Sequence, residues 1–307
     1  MKAVPAGEYR YMNEKKKLTR KKLAFLLLMS GFGCLGPLVR EISLPTICIV
    51  WARALVSAAA LLLFLLLSGK RNLKDCRSFL KPMLMCGALL AVDWIGLFAS
   101  YRYTTIATAT LCYYIVPALV MIGAACFLGE KLTARKLICI AVAFAGMVFV
   151  SGAAGNGLPK PAEIKGVLLA LVGAAGYAGI ILINKRYPEG DPLMRTFIQL
   201  STAALIMTGY LSVAGELPAG PFGTKDILLL LILGVVMTAA AYIAYFSLIV
   251  SIPSGTVAFF SYADPVVAVI LSIFLLNEPF TIHTLIGAVM IIGAAAAAEC
   301  FPEEESL

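Results

Sequence analysis

The amino-acid sequence predicts an all-α, polytopic membrane protein with ten transmembrane helices arranged as two inverted five-helix repeats. Three observations support this prediction: an apolar composition, ten separate apolar runs, and a sequence register that recurs after 148 residues. Hydrophobic residues make up 61% of the 307 residues and charged residues only 14%. Soluble domains are about 45–50% apolar and about 25% charged, so a water-soluble fold is excluded.

The ten apolar runs define the predicted helices. Most of them reach the roughly 17–25 residues that cross about 30 Å of hydrocarbon at a rise of 1.5 Å per residue. In chain order, the predicted spans cover residues 23–39, 46–67, 80–99, 105–128, 137–152, 165–184, 196–214, 226–246, 254–276 and 282–298. The fifth and tenth runs are the shortest, so they either thin the bilayer locally or lie behind neighbouring helices.

The distribution of basic residues predicts the orientation of these spans. With the N-terminus inside, 19 of the 25 Lys and Arg residues fall on cytoplasmic segments, five fall on external loops, and Arg53 lies inside span 2. Such an asymmetry sets topology by the positive-inside rule. Both termini are therefore predicted to be cytoplasmic, in a bacterial plasma membrane. The basic N-terminal cluster would meet anionic lipid headgroups, and no nucleic-acid partner is predicted.

A duplicated register relates the two halves of the chain. At an offset of 148 residues, eight of the 30 positions from 108 to 137 are identical to their counterparts, including Pro117 with Pro265 and Glu130 with Glu278. Because five spans is an odd number, the second copy must enter the membrane upside down. Such inverted repeats are typical of secondary transporters, whose substrate sites lie near the bilayer midplane between the halves.

The repeat divides the chain into five segments. They are a basic cytoplasmic N-terminal tail at 1–22, a first repeat at 23–152, an external linker at 153–164, a second repeat at 165–298, and a cytoplasmic C-terminal tail at 299–307.

A repeated phrase, together with the ten spans, resembles the drug/metabolite transporter superfamily, EamA type. The phrase runs from Pro117 to Leu128-Gly129-Glu130-Lys131-Leu132-Thr133, and again from Pro265 to Leu276-Asn277-Glu278-Pro279-Phe280-Thr281. The resemblance covers almost the whole chain and implies secondary transport without ATP. It names no single substrate, because the family carries amino acids, sugars, nucleotide derivatives, quaternary amines and drugs. Asn277 and Pro279 depart from the pattern of the first copy.

Three charged residues fall inside the predicted spans. An aspartate at the centre of a span costs about 2.5–3.5 kcal/mol on insertion scales, so Asp93 in span 3 should face the bundle interior or water. It is either a structural residue, neutral or paired with Arg53, or a proton carrier and counter-charge for a cationic substrate. Asp264 in span 9 either caps freed N–H groups beside Pro265 or marks a helix break. Arg53 either snorkels or faces the interior, where it would pair with Asp93.

The predicted substrate site combines these carboxylates with aromatic residues. We expect one central cavity lined by Asp93, Trp94, Tyr113, Tyr114, Tyr262 and Asp264. Aromatic faces attract a cationic ligand, and a carboxylate inside an apolar bundle can exchange a proton for a substrate. The alternative for several of the tyrosines is a belt at the membrane interface.

Other residues are predicted to shape the helices. Pro117 and Pro265 should act as hinges that interrupt spans 4 and 9 at similar depth, because proline removes a backbone hydrogen bond. Glu130 and Glu278 should cap helix N-termini and fix the adjoining loops, and Arg53 is assigned with them as a structural residue.

Together these features favour a secondary transporter of a small metabolite, such as an amino acid or an organic cation, working by alternating access with or without proton coupling. A passive channel or facilitator and a non-transporting structural membrane protein are the alternatives. HExxH and GxSxG motifs are absent and the chain has one histidine, so neither enzymatic activity nor a metal site is predicted. The GxGxxG phrase at residues 31–36 lies within a span, so no nucleotide cofactor is predicted, and a broken first helix or close packing explains its glycines better.

Overall fold

The computed structural model of the chain describes residues 6–68, 77–104, 106–150, 163–218, 222–276 and 282–300. Within these ranges the regular structure is helical throughout, which confirms the all-α prediction. Five described helices are long and apolar enough to cross a membrane. Large apolar side chains cover much of the outer surface, for example Val213, Leu67 and Phe127. Such a surface fits hydrocarbon rather than water.

The first half of the chain contains spans 1 to 5. Its helices are α1 (Ala6–Phe32), α2 (Leu35–Arg40), α3 (Thr46–Ser68), α4 (Leu80–Ser100), α5 (Ile106–Tyr113), α6 (Val116–Leu128) and α7 (Ala134–Val150). The break between α1 and α2 interrupts the first span beside Gly33, and α5 and α6 together make the fourth span. Because α1 begins at Ala6, most of the segment predicted as an N-terminal tail is helical.

The second half contains spans 6 to 10. Its helices are α8 (Ile164–Arg186), α9 (Pro192–Ala214), α10 (Thr224–Leu231), a π-helical segment (Ile232–Ala240), α11 (Ala241–Ile249), α12 (Ser254–Phe260), α13 (Ala263–Leu276) and α14 (Ile282–Cys300). The eighth span comprises α10, the π-helical segment and α11, and the ninth comprises α12 and α13. The predicted linker at 153–164 lies almost wholly outside the described residues, and α14 continues past residue 298.

Helix packing follows the internal repeat. The contact between α4 and α8 has its counterpart in the contact between α11 and α1, and α6 packs on α8 as α13 packs on α1. Equivalent spans also meet each other: α3 contacts α9, α6 contacts α12, and α7 contacts α14. A contact pattern that maps onto itself when the halves are exchanged is the pattern of a pseudo-two-fold axis.

Glycines allow α4 and α8 to approach closely. A Cβ atom on Gly173 would lie 2.9 Å from the Asp93 carbonyl oxygen, and one on Gly96 would lie 2.8 Å from the Leu169 carbonyl oxygen. Only glycine fits at such distances, as in other small-residue interfaces between membrane helices. Gly31 on α1 has no atom within 4 Å of such a Cβ. Close packing is therefore found at the contact between α4 and α8 and not at Gly31, and the glycine phrase of the first span accompanies a helix break.

Candidate substrate site

Two broken helices meet at the centre of the bundle. Tyr114 lies in the break between α5 and α6, and its repeat counterpart Tyr262 lies in the break between α12 and α13. The two ring centroids are 6.5 Å apart, and the Tyr262 hydroxyl donates a hydrogen bond to the Tyr114 carbonyl oxygen at 3.4 Å. Pro117 and Pro265 each occupy the first turn of the following helix, where a missing N–H group costs little.

Asp93 lies on α4 and is only 2% exposed. The Tyr113 hydroxyl donates a hydrogen bond to its carboxylate. In the described part of the chain, its Oδ1 atom has no hydrogen-bond partner. Arg53 lies near enough to interact with Asp93 electrostatically, but the two form no ion pair within the described ranges. The sequence left open whether Asp93 pairs with Arg53, and in the structure the two interact only at longer range.

Arg53 on α3 points into the bundle instead of snorkelling to an interface. Its guanidinium carbon lies 4.6 Å from the centroid of the Trp94 ring, which is a cation–π contact. Its Nε atom is buried and, among the described residues, has no acceptor. A buried donor without an acceptor is rare in folded proteins and needs a specific explanation.

Asp264 lies in the first turn of α13, where the helix dipole favours a negative charge. Protein atoms surround its carboxylate, although the residue as a whole is only partly buried. No described residue forms a hydrogen bond with it. Its charge acts on Tyr114 and Tyr242, and the charge of Asp93 also acts on Tyr242. Both carboxylates therefore lie within electrostatic range of the same tyrosine.

Three further tyrosines complete the aromatic wall. Trp94 donates a hydrogen bond to the Tyr242 hydroxyl, and the Tyr177 hydroxyl donates to the Tyr245 hydroxyl at 2.7 Å. The Tyr177 ring stacks on both Tyr113 and Tyr245. Sequence reasoning did not assign Tyr177, Tyr242 or Tyr245 to the site. Tyr242 and Tyr245 are three residues apart, so both rings lie on one helix face, and this spacing was the signal that could have assigned them to the site.

The structure thus brings the predicted residues together in two neighbouring groups. One group contains Asp93, Trp94 and Tyr113, and the other contains Tyr114, Tyr262 and Asp264. An edge-to-face contact between the rings of Tyr113 and Tyr114, with centroids 6.3 Å apart, connects them. We call these two groups, together with Tyr242, the central aromatic site.

At one end of the bundle, which we call the Glu130 end, a carboxylate joins the two repeats. Glu130 Oε1 accepts a hydrogen bond from the Ser254 hydroxyl at 2.6 Å, and Oε2 accepts one from the Ser254 backbone N–H at 3.2 Å. Glu130 therefore caps α12 in the other repeat. Thr133 instead accepts the Lys136 N–H in the first turn of α7. Glu278 lies outside the described residues.

At the opposite end, which we call the Glu41 end, two ion pairs also join the repeats. Arg102 contacts Glu216 and Lys225 contacts Glu41, each at 2.5 Å. The hydrogen bond from Arg102 lowers the pKa of Glu216, and the hydrogen bond from Lys225 lowers the pKa of Glu41. The stabilisation from these exposed ion pairs is fully present at a pH above the ordinary pKa of a glutamate. It is lost as the pH falls through the lowered pKa values of Glu41 and Glu216.

A buried polar cluster between α8 and α9 is a second feature that sequence reasoning missed. Arg195 is 2% exposed and donates hydrogen bonds to Asn184 Oδ1 at 2.9 Å and to the Pro188 carbonyl at 2.9 Å. Asn184 in turn donates to Gln199 Oε1 at 3.2 Å. Arg195 was counted as a loop charge, but it fixes the turn between two spans.

Comparison with known proteins agrees with this architecture. A crystal structure superimposes with a TM-score of 0.79 at 19% sequence identity, covering 91% of this chain and 98% of that chain; this likeness concerns the fold alone. Among curated proteins, the chain is 24% identical to the uncharacterized transporter YxxF of Bacillus subtilis, over 92% of this chain and 90% of that protein. It is also 26% identical to an S-adenosylmethionine uptake transporter of Rickettsia conorii, over 80% of this chain and 79% of that protein.

The family comparison covers both halves of the chain. The model of the EamA-like transporter family matches residues 20–152 and again residues 164–298. These two matches account for most of the chain, and they coincide with the two sets of five spans. The family consists of membrane transporters and not of enzymes. The chain therefore belongs to the EamA-like transporter family.

Proposed function

We propose that this chain is a secondary transporter that moves a small metabolite by alternating access through the central aromatic site. The observation that carries the proposal is that two buried carboxylates, Asp93 and Asp264, lie within electrostatic range of the same residue, Tyr242, and that Asp264 also acts on Tyr114, where two broken helices meet. Charged side chains inside membrane bundles are costly and mark substrate or ion pathways. Broken helices at the interface of inverted repeats are the usual place for such sites.

The chemistry of the site favours a substrate with a positive charge. Asp93 and Asp264 supply negative charge, and Trp94, Tyr113, Tyr114 and Tyr262 supply ring faces that attract cations. A carboxylate that releases its proton when the substrate arrives would couple transport to a proton gradient, with both aspartates as coupling residues. The Rickettsia relative is named for S-adenosylmethionine, which carries a sulfonium cation, and this supports the same class of ligand.

Counterflow in proteoliposomes tests this function. Vesicles loaded with amino acids and organic cations that raise the melting temperature of the purified protein should take up the labelled compound transiently above equilibrium. The uptake should saturate with concentration and respond to an imposed pH gradient. A passive channel gives flux that rises linearly and shows no stimulation by substrate on the far side, so that result would reject the carrier.

We further propose that both termini and the Glu130 end face the cytoplasm of a bacterial plasma membrane. The support is the excess of Lys and Arg on that side. Alkaline phosphatase, which is active only in the periplasm, should be silent when fused after Leu307. A fusion after Glu216, at the Glu41 end, is the matched control and should be active. The reverse pattern would overturn the orientation.

Finally, we propose that Pro117 and Pro265 let spans 4 and 9 flex where they are broken. Each proline keeps its helix from continuing back through the break, because it lacks the N–H group that the preceding turn would need. Glu130 and Arg53 then have structural roles. Glu130 links the two repeats by its hydrogen bond with Ser254, and Arg53 holds the Trp94 ring by its cation–π contact.

A further inference from the structure

The eighth span contains a π-helical segment (Ile232–Ala240), whereas its counterpart in the first repeat, α4, is an ordinary α-helix. In a π-helix each N–H group bonds to the carbonyl five residues earlier instead of four. The Ala241 N–H accordingly reaches the Val236 carbonyl. Such turns are rare inside α-helices and are frequently found at functional sites. Tyr242 and Tyr245 of the aromatic wall follow directly after this one.

Two matching glycine contacts fix the alignment of the two spans before the π-helical segment begins to widen. Gly87 on α4 packs against α9, and Gly234 in the segment packs against α3. A Cβ atom on Gly87 would lie 2.5 Å from Thr202 Cβ, and one on Gly234 would lie 2.6 Å from Val56 Cβ. Val56 and Thr202 occupy the same position, the eleventh, in two helices of 23 residues each. The two glycines are therefore structural counterparts.

Trp94 and Tyr242 fix the alignment after the segment. They are 148 positions apart, which is the offset of the internal repeat. Their ring centroids are 6.3 Å apart, as expected for equivalent residues near a pseudo-two-fold axis. Gly87 and Trp94 are seven residues apart, whereas Gly234 and Tyr242 are eight residues apart. Between the two alignment points, the eighth span thus has one residue more than the third.

The π-helical segment absorbs this extra residue. In a regular α-helix, one more residue would turn everything after it by about 100° and carry Tyr242 off the face that meets Trp94. The wider turn lets both flanking faces keep the directions that they have in the third span. Gly234 still faces α3, and the Tyr242 hydroxyl still accepts a hydrogen bond from the Trp94 indole N–H.

Two fully buried hydroxyl groups bind the carbonyls of this wide turn. Thr238 Oγ1 donates a hydrogen bond to the Leu233 carbonyl, five residues earlier, at 2.7 Å. The Ser57 hydroxyl on α3 donates to the Gly234 carbonyl at 2.8 Å and shares its proton with the Arg53 carbonyl. Both hydroxyl groups therefore stabilise the segment where the extra residue lies.

The first repeat lacks both hydroxyl groups. Ala203 holds the position of Ser57 in α9, and α4 contains no serine or threonine before Ser100. The hydroxyl donors therefore occur only in the repeat that has the extra residue.

We propose that Ser57 and Thr238 are positioning residues that hold the extra residue in the π-helical turn and so keep Tyr242 and Tyr245 facing the central aromatic site. Neither hydroxyl is assigned a contact with substrate, since each acts through the backbone of the eighth span. The inference rests on the proposed function only in taking the central aromatic site as the substrate site.

Trp94 fluorescence reports the position of Tyr242 directly, because the two side chains are in contact. The chain has two tryptophans, so in a Trp51→Phe background the emission of the purified full-length protein comes from Trp94 alone. If Tyr242 turns away, water replaces its ring beside the indole and the emission maximum moves to longer wavelength.

Removal of the two hydroxyl groups, followed by removal of the extra residue, tests the proposal in this background. Ser57→Ala with Thr238→Val should let the eighth span relax to an α-helical turn and shift the Trp94 emission to longer wavelength. Deleting Val236, an exposed residue of the segment, from that variant should bring the emission back to the starting value. A mere loss of stability would not be reversed by a deletion.

Two further variants complete the experiment. Thr238→Ser keeps a hydroxyl group and should keep the emission of the background protein, while Thr238→Val alone should give part of the shift. This pair tests the proposal even if the deletion variant does not fold. Thr202→Val is the matched control, because it removes a hydroxyl group from the equivalent glycine contact in the other repeat, and it should cause no shift.

The outcomes separate this inference from the proposed function. Unchanged Trp94 emission in the variant without the two hydroxyl groups would overturn the positioning role. So would a shift that persists in a folded deletion variant, or an equal shift in Thr238→Ser and Thr238→Val. The expected pattern of shifts without any counterflow would support the positioning role and reject transport. Counterflow without the shifts would leave the transporter function standing and reject the positioning role.

Discussion

Asp93→Asn is expected to abolish pH-driven transport and to leave the protein folded. Asparagine keeps the shape of the side chain, and its amide oxygen still accepts the hydrogen bond from Tyr113. The change removes the negative charge, and with it both the proton-binding group and the counter-charge for a cationic substrate. Losing a hydrogen bond to a charged group alone costs about 1.5–3 kcal/mol, which is roughly 10- to 100-fold in affinity. Uptake driven by a proton gradient measures the loss.

Asp264→Asn is expected to have a milder effect in the same assay. Asp264 is partly accessible, has no arginine in the described residues acting on it, and corresponds to Val116 in the first repeat. Glu216→Gln is the matched control, because it removes a carboxylate from the Glu41 end and should leave the pH dependence unchanged. Normal transport at every pH in both aspartate variants would end the proton-carrier proposal, provided that their melting temperatures match the wild type.

Pro265→Ala is expected to slow exchange at least about tenfold while changing stability by no more than about 1 kcal/mol. Alanine supplies the missing N–H group and permits α12 and α13 to join through Ser261 and Tyr262. A continuous helix would carry Tyr262 away from the Tyr114 carbonyl that it now contacts. The counterflow rate and the thermal unfolding curve are measured together.

The control for this variant is Pro192→Ala. Pro192 is the first residue of α9, where the proline follows the Asp191 cap and maintains no break inside a span. It should lose neither stability nor exchange rate beyond the error of the assay. If Pro265→Ala exchanged substrate as fast as the wild type, the hinge proposal would be wrong.

The sequence predicted the architecture because the bilayer imposes a simple rule on it. Each span must be apolar over a fixed length, and a repeat with an odd number of spans must invert. The broken helices are marked by local chemistry, since Pro117 and Pro265 stand in one register. That the aspartates and tyrosines bind substrate stays a prediction, although the structure places them side by side.

The features that the sequence did not reveal depend on contacts between distant segments. Nothing near Glu130 in the chain shows that its partner is Ser254, 124 residues away and in the other repeat. Arg195 was taken for a loop charge because it follows the polar turn after span 6, but its acceptors on Asn184 and Pro188 hold it inside. The periodicity of a sequence shows which residues are buried, but only the fold shows which residues they contact.

The contact between Tyr114 and Tyr262 has a geometric consequence for movement. Residues at the same position in two symmetric halves can touch only near the symmetry axis, and a rotation about an axis barely displaces the points that lie on it. If the two halves exchange conformations during transport, these two tyrosines move little and stay in contact throughout the cycle. The largest displacements then occur at the two ends of the bundle, where Glu130 contacts Ser254 and where Arg102 contacts Glu216. Spin labels beside Ser254 and Glu216 would therefore report large swings, and a pair at the two tyrosines almost none.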